Sequence, residues 1–252
     1  MDEDAYQAYS SVIASPTLRS IWAEVYGERF WPDLDPPWTQ ATIEDAQFVA
    51  SRLGEQGDPR LVDLGCGSGC FLRFAARDLG LSIVGIDANP MAIQLAQERC
   101  AGLLDKISLQ IGDIGKTGLP AATFDGAVSL DVLLFVPDKE QVLREVARIL
   151  KPGARFAGTT FELRAPSMAL SAPAFDAYPS IFQAAGFVVE VYEDAKDWRR
   201  LLEEVLPAIL AREAELSREI HPAAWARVRA WAKSRPSELA DSRRTRFCVR
   251  LA

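Results

Sequence analysis

Short apolar-rich runs alternate with helical patterns along the chain from residue 59 onward. Between these runs, apolar residues recur at the spacing of an amphipathic helix. The runs predict seven β-strands, at residues 60–64, 81–86, 107–111, 124–130, 154–161, 187–193 and 243–252. Strands that alternate with helices are typical of βαβ units around a parallel sheet. The pattern therefore predicts an α/β fold in which the carboxyl ends of the strands line a ligand site.

Two helical regions flank this pattern. The N-terminal region is predicted to be mainly helical, and a second helical region separates the last two strands, where a short turn would suffice. We predict an N-terminal helical cap or lid over residues 1–58, an α/β core over 59–194, a helical cap insertion over 195–240 and a final core strand over 241–252.

The first predicted strand runs into a glycine-rich loop, "RLVDLGCGSGC". A dinucleotide fingerprint has glycine at its first, third and sixth positions, but here the glycines are Gly65, Gly67 and Gly69 and the sixth position is Cys70. The N–H groups of such a loop suit a carboxylate as well as a phosphate. Asp63, just before the loop, suits a cation and would repel a pyrophosphate. A ligand with a carboxylate, an ammonium and a sulfonium meets both demands, and S-adenosylmethionine is such a ligand.

Three more acidic residues follow predicted strands, namely Asp87, Asp113 and Asp131. A carboxylate in the position of Asp87 can accept hydrogen bonds from both hydroxyls of an adenosine ribose, which nicotinamide cofactors and S-adenosylmethionine share. Asp113 can accept from an adenine amino group, although an aspartate after a glycine also suits a simple turn. The series of acids at strand ends favours ligand binding.

Four stretches of the chain resemble the motifs of class I S-adenosylmethionine-dependent methyltransferases in order, spacing and content. They are "LVDLGCGSG", "IVGIDANPMAIQLA", "IGDIGKTGLPAATFDGAVSLDVLLFVPD" and "LREVARILKPGARFAGTTF". The nearest subgroup is the small-molecule type that includes the ubiquinone/menaquinone biosynthesis methyltransferases, and the resemblance covers about residues 59–192. It implies a Rossmann-like, mostly parallel seven-stranded sheet with helices on both faces and an antiparallel last strand. It also implies S-adenosylmethionine as the cofactor.

The same resemblance implies roles for individual residues. The glycine loop would approach the methionine moiety, with Asp63 near its amino group and the Leu130 carbonyl accepting from its ammonium. Asp87 would hold the ribose, Met91 would pack on the adenine, and the residues after strand three would contact the adenine edge. The expected cofactor-binding set is Asp63, Gly65, Cys66, Gly67, Asp87, Ala88, Met91, Asp113, Ile114 and Leu130.

The groups that would act on the acceptor are less clearly marked. Many related enzymes carry histidine in the segment after strand four, where this chain has "DVLLFVPD". Asp131 in that segment and His221, the sole histidine, are the candidate catalytic groups; a loop acid and a structural histidine are the alternative interpretations. Aromatic side chains are the candidate substrate-binding residues, and packing of cap helices is their alternative role. They are Trp22, Tyr26, Trp31 and Phe135.

Composition narrows the classes of partner. The net charge is −7, with −7 on residues 1–50 and +5 on residues 196–252. The basic C-terminal residues are interleaved with acids, so nucleic acid is not the expected partner. Four cysteines without paired CxxC sets predict neither a metal site nor a disulfide framework. The acidic N-terminus has no signal pattern and no apolar run reaches about 18 residues, so we predict a cytoplasmic protein without a membrane partner.

The sequence thus predicts a methyltransferase that moves the methyl group of S-adenosylmethionine to an O, N or C nucleophile of a small molecule, such as a specialised metabolite, by SN2 displacement. Four alternatives stay open. They are a non-methyl reaction such as cyclisation on the same fold, a nucleic-acid methyltransferase, a nicotinamide oxidoreductase and a non-catalytic binding protein. A homodimer is compatible with the sequence, which does not name the acceptor.

Overall fold

The computed structural model describes residues 3–37, 39–53, 59–164, 171–234 and 241–252. Seven strands in these ranges form one sheet: β1 Arg60–Leu64, β2 Ser82–Asp87, β3 Ile107–Ile111, β4 Phe124–Leu130, β5 Leu150–Leu163, β6 Phe187–Asp194 and β7 Ser242–Leu251. Their order across the sheet is β3-β2-β1-β4-β5-β7-β6. The pairs β1–β2, β1–β4, β2–β3 and β4–β5 are parallel, whereas β7 runs antiparallel to β6. The predicted Rossmann-like sheet, mostly parallel with an antiparallel last strand, is confirmed.

The centre of the sheet explains where a ligand site forms. β1 lies between β2 and β4, so the strand order reverses at β1. Open α/β sheets bind ligands beyond the carboxyl ends of the strands at such a point. Asp63 in β1, Asp87 in β2 and Leu130 in β4 lie at or next to these ends.

Ten helices in the described ranges accompany the sheet. They are α1 Glu3–Ala14, α2 Pro16–Tyr26, α3 Ile43–Leu53, α4 Cys70–Arg73, α5 Pro90–Arg99, α6 Lys139–Ile149, α7 Tyr178–Ala184, α8 Trp198–Ala211, α9 Glu213–Glu219 and α10 Pro222–Ser234. Side-chain caps fix three of their starts. Ser15 Oγ accepts from the Leu18 N–H at 3.1 Å, Asn89 Oδ1 accepts from the Met91 N–H at 3.0 Å and Asp138 Oδ1 accepts from the Gln141 N–H at 2.8 Å. None of the described helices is long and apolar enough to cross a membrane.

An aromatic core packs α7 against the antiparallel side of the sheet. Phe156 of β5 and Phe247 of β7 have ring centroids 4.9 Å apart, and Phe182 of α7 lies 5.0 Å from Phe247. All three side chains are fully buried. Such aromatic contacts add directional attraction to the hydrophobic burial and hold β7 in place between β5 and β6.

The chain divides into two compact units. Residues 44–195 with 243–252 form one, here called the sheet unit, and residues 1–43 with 196–242 form the other, the helical unit. In the helical unit, Glu219 of α9 accepts hydrogen bonds from the hydroxyls of Ser15 and Thr17, each at 2.5 Å. These contacts join α9 to the start of α2.

The boundary of the sheet unit differs from the predicted one at α3. We predicted α3 within the cap over residues 1–58, but it groups with the sheet. Asp45 of α3 accepts hydrogen bonds from Arg244 and Arg246 of β7. A Cβ added at Gly126 of β4 would lie only 3.0 Å from Leu53 Cδ2, so α3 packs tightly on the sheet. Residues 54–58 and 235–240, at the predicted boundaries, lie outside the described residues.

Candidate active site

The glycine loop after β1 is tied to the end of β2 by backbone hydrogen bonds. The N–H groups of Gly65 and Cys66 donate to the Ile86 carbonyl at 2.8 and 3.0 Å, and the Gly69 N–H donates to the Cys66 carbonyl at 3.0 Å. Gly65, Gly67 and Gly69 have φ angles of +81°, +54° and +88°. Glycine adopts this left-handed region without steric cost, which is why the loop can turn so sharply here.

The two sides of this loop differ in the space they leave. A Cβ added at Gly65 would lie 2.5 Å from Val132 Cγ2, so the segment after β4 closes that side. A Cβ added at Gly67 would meet no atom within 4 Å. The loop therefore has its open side at Gly67, where a ligand can approach the backbone.

Asp87 lies at the end of β2 with both carboxylate oxygens oriented by backbone donors. Its Oδ2 accepts from the Gly67 N–H at 2.9 Å and its Oδ1 accepts from the Asn89 N–H at 2.8 Å. The side chain is half-buried. Each carboxylate oxygen has further acceptor capacity, so this carboxylate is fixed in direction and still able to accept from two hydroxyl groups.

Asp63 is an acid whose ionisation the fold disfavours. Its side chain is 3% exposed. Burial, together with the nearby charge of Asp87, raises the pKa of Asp63 from 3.8 to about 8. A cation bound beside the carboxylate would favour its ionised form. This buried acid in β1 is therefore a candidate partner for a cationic group of a ligand.

Cys66, within the loop, has the character of a packing residue. Its thiol is buried, and a Cβ added at Gly85 of β2 would lie 2.9 Å from its Sγ. Burial, followed by the charges of Asp63 and Asp87, raises its thiol pKa well above the usual range. A thiol held in its protonated form is a poor nucleophile, so Cys66 shapes the loop.

The remaining members of the expected cofactor set occupy the strand ends and the start of α5. Asp113 is exposed after β3, and its Oδ1 accepts from the Gly115 N–H at 2.7 Å. The next residue, Ile114, is buried. Ala88 is exposed, whereas Met91 and Leu130 are half-buried. The fold therefore brings the predicted acids to one edge of the sheet, and the turn alternative for Asp113 is also realised.

Asp131 is held in an ion pair that sequence reasoning missed. Its carboxylate accepts from Arg244 Nε at 3.0 Å, from Arg244 Nη2 at 3.2 Å and from the Thr159 hydroxyl at 2.8 Å. The side chains of Asp131 and Arg244 are 3% and 1% exposed. The Arg244 guanidinium is shared with Asp45, which accepts from Nη1 at 2.9 Å. This pairing disfavours the role of general base that the sequence suggested for Asp131.

His221 belongs to the helical unit, immediately before α10. Its backbone N–H donates to the Ser11 hydroxyl at 3.0 Å, and its Nε2 lies 3.1 Å from Asp4 Oδ1. Both partners lie on α1. These contacts give His221 a structural role in joining α10 to α1.

The four aromatic candidates for acceptor binding differ in exposure. Trp22, Tyr26 and Trp31 are each at most 3% exposed, and the Tyr26 hydroxyl donates to Gln40 Oε1 at 3.3 Å. Phe135, in the segment after β4, is 56% exposed. An exposed large aromatic side chain is available to a ligand, whereas the three buried ones pack the helical unit.

The carboxyl edge of the seven-stranded sheet thus combines an open glycine loop, a buried acid and an oriented second acid, and this arrangement suits an adenosyl ligand. Residues 62–158 match the family model of a methyltransferase domain. The methyltransferase GfsG of Streptomyces halstedii is 26% identical over 215 residues, covering 77% of this chain and 77% of the relative. The 27-O-demethylrifamycin SV methyltransferase of Amycolatopsis mediterranei (strain S699) is 27% identical over 201 residues, covering 73% of this chain and 74% of the relative.

Solved structures share the fold. The cyclase SpnF superposes with a TM-score of 0.74 at 23% identity, over 98% of this chain and 95% of that one. Other structures with this fold are complexes with S-adenosylmethionine. These matches identify residues 62–158 as a methyltransferase domain, and the relatives and the complexes support S-adenosylmethionine as the cofactor. The buried acid at Asp63 and the open side of the loop at Gly67 fit this cofactor.

Proposed function

We propose that this enzyme transfers a methyl group to an O, N or C nucleophile of a small specialised metabolite. The observation that carries the proposal is the buried carboxylate of Asp63, whose pKa is raised to about 8 beside a glycine loop that is open at Gly67. A cationic amino acid moiety is the ligand that such a pair of features accommodates best. The named relatives, which methylate small molecules or carry a methyltransferase name, support the same reaction class.

Each residue of the cofactor set has a distinct task in this proposal. Asp63 and the Leu130 carbonyl hold the ammonium, and the glycine loop, with Cys66 as its packing residue, receives the methionine chain. Asp87 accepts from the ribose hydroxyls. The side chains that enclose the adenine come from the start of α5 and the segment after β3; they are Ala88, Met91, Asp113 and Ile114.

The proposed transfer depends on alignment rather than on a dedicated base. S-adenosylmethionine supplies a methyl group that is already activated on a sulfonium. Holding donor and acceptor in line accounts for much of the acceleration of such a displacement. Asp131 and His221 are both engaged by partners within their own units. We therefore assign neither side chain as the base and propose that the acceptor's proton passes to solvent or to a group of the acceptor itself.

Phe135 is the side chain we assign to the acceptor. It lies in the segment after β4, five residues after Leu130, whose carbonyl we assign to the ammonium, and it is 56% exposed. An exposed phenyl ring in that place offers an apolar surface to a hydrophobic metabolite. The buried Trp22, Tyr26 and Trp31 are assigned to packing.

The direct test measures cofactor binding and methyl transfer separately. Calorimetry with S-adenosylmethionine and S-adenosylhomocysteine should detect binding to the intact protein. Asp87→Ala should weaken this binding at least about tenfold, because the loss of one charge-assisted hydrogen bond lowers affinity by about that factor. Asp105→Ala, which removes an exposed acid in the turn before β3, is the matched control. Methyl-labelled cofactor and a panel of metabolite acceptors then report transfer. Absence of binding to the wild-type protein would refute the proposal.

A non-methyl reaction is the second candidate, because the same fold is found in a cyclase. The mass of the product separates the two. Transfer adds one CH₂ to the acceptor, whereas cyclisation yields an isomer of the same mass. Retention of RNA or DNA that weakens strongly with salt would instead favour a nucleic-acid substrate, against the net charge of −7.

A further inference from the structure

We propose that Arg244 is a positioning residue for the cofactor site: it anchors Asp131, and through Asp131 it fixes the turn that carries the Leu130 carbonyl and the Val132 side chain. The inference rests on the proposed function, because it assigns Leu130 to the ammonium of the cofactor. Arg244 lies on β7, remote in sequence from every motif of the cofactor site.

The ion pair is built as a fork. Arg244 Nε donates to Asp131 Oδ1 at 3.0 Å, and Nη2 donates to Oδ2 at 3.2 Å. Paired N–H donors on two carboxylate oxygens fix direction as well as distance. Lysine, with one ammonium, cannot reproduce this geometry. Arg244 therefore specifies where the Asp131 side chain lies and how it is turned.

The backbone of Asp131 needs such an anchor. Its φ angle is +57°, a left-handed conformation that residues with a Cβ rarely adopt. The Asp131 N–H donates to the Thr159 carbonyl at 3.0 Å, and its carboxylate accepts from the Thr159 hydroxyl at 2.8 Å. Strained backbone persists only where surrounding contacts over-determine it. Here the contacts are β5 on one side and Arg244 on the other.

The turn that follows is part of the wall of the cofactor site. Val132, the next residue, lies where a Cβ on Gly65 would come within 2.6 Å of both its methyl carbons. Leu130, the preceding residue, ends β4. A change in the Asp131 backbone therefore moves the carbonyl assigned to the ammonium and the side chain that closes the glycine loop.

Two acids beside Arg244 stabilise its charge in the buried position. Asp45 of α3 accepts from Nη1 at 2.9 Å, so one guanidinium serves two buried acids. Burial alone would lower the pKa of Arg244, but the charges of Asp131 and Asp45 raise it, and the group stays ionised. The Phe161 ring lies 5.9 Å from the guanidinium carbon. Arg246 also donates to Asp45 but does not contact Asp131, which makes it a matched control.

The rival explanation is that Arg244 only stabilises the fold. Arg244→Lys and Arg246→Lys separate the two, because both weaken a contact with Asp45 and only the first disturbs Asp131. We expect Arg244→Lys to weaken S-adenosylhomocysteine binding at least about tenfold when measured well below its unfolding temperature. Arg246→Lys should bind within about twofold of wild type. Equal binding by both variants would overturn the inference. So would a loss of binding that is explained in both variants by the same dependence on their lowered unfolding temperatures.

A second pair of variants covers the case in which Arg244→Lys does not fold. Asp131→Asn combined with Arg244→Met removes both charges of the pair, and Asp45 keeps Arg246 as its partner, so no buried ion is left unpaired. We expect this double variant to fold and to bind S-adenosylhomocysteine at least about tenfold more weakly than wild type. Binding with wild-type affinity would overturn the inference. Failure of the proposed function is distinguishable, because then the wild-type protein itself would not bind S-adenosylhomocysteine.

Discussion

Folding and cofactor binding are expected to favour opposite protonation states of Asp63. Burial and the charge of Asp87 raise its pKa from 3.8 to about 8. The folded protein without cofactor therefore keeps this group protonated at neutral pH, whereas the unfolded chain releases the proton near pH 3.8. Because the folded-state pKa is raised, Asp63 opposes folding increasingly as the pH rises from about 4 to about 8, and the effect is constant above that window.

Asp63→Asn removes this pH dependence, since an amide does not titrate. Each pH unit within the window is worth up to about 1.4 kcal/mol, so the whole window is worth at most about 6 kcal/mol. We expect the free energy of unfolding of the variant to gain on that of wild type as the pH rises. The gain should approach about 1.4 kcal/mol per pH unit.

Urea unfolding of both proteins without cofactor, at about pH 5, 6, 7 and 8, measures this gain. The slope of the difference is informative even if asparagine packs differently from aspartate, because a packing effect does not change with pH. Parallel stability curves for the two proteins would refute the assignment of the raised pKa to Asp63.

The same substitution reports on the cofactor. At pH 7 a group with a pKa of about 8 is about nine-tenths protonated, and pairing with the cofactor ammonium should ionise it. Wild-type protein should therefore release close to one proton on binding S-adenosylhomocysteine, which calorimetry in buffers of different ionisation enthalpy counts. Asp63→Asn should bind more weakly and lack this release. Equal proton counts for both proteins would place the ammonium elsewhere.

Two further changes test other parts of the sheet unit. Gly65→Ala places a Cβ 2.5 Å from Val132 at a φ of +81°, so it should weaken S-adenosylhomocysteine binding at least about tenfold by calorimetry, whereas Gly102→Ala, in open space, should leave binding unchanged. Hydrogen bonds, the strongest from Arg148, lower the pKa of Glu145 to about 2. Glu145→Gln should therefore lose about 1 kcal/mol of stability near neutral pH, a small value because Arg148 is partly exposed. The free energies of unfolding of wild type and variant should converge as the pH falls from about 4.5 toward 2. A difference that stays constant with pH would contradict the ion pair.

The features that can be predicted from the sequence are those set by neighbouring residues. Asn89 precedes Pro90 and caps α5, and Asp138 caps α6 through the Gln141 N–H, as their local patterns indicate. The parallel strands follow from the alternation of apolar runs and helices. The place of the acids follows in turn, because the carboxyl ends of parallel strands meet at one edge.

The features that sequence could not predict depend on partners far along the chain. Arg244 lies 113 residues after Asp131 and 199 residues after Asp45. No local pattern marks an arginine on a final strand as the partner of an acid that follows β4. The assignment of α3 to the sheet unit has the same origin. Only the packed sheet brings β7 beside these acids.

Three acids that look equivalent in the sequence differ in how the fold balances their charge. Asp63, Asp87 and Asp131 all stand at strand ends, and each is a plausible ligand for a cation or a hydroxyl. Asp131 already has a buried arginine, so its charge is satisfied by the protein. Asp87 is oriented by backbone N–H groups and keeps acceptor capacity. For Asp63, burial and a like charge both raise the pKa. Only a bound cation balances the ionised form of this acid, which is why we propose that the cofactor ammonium lies beside it.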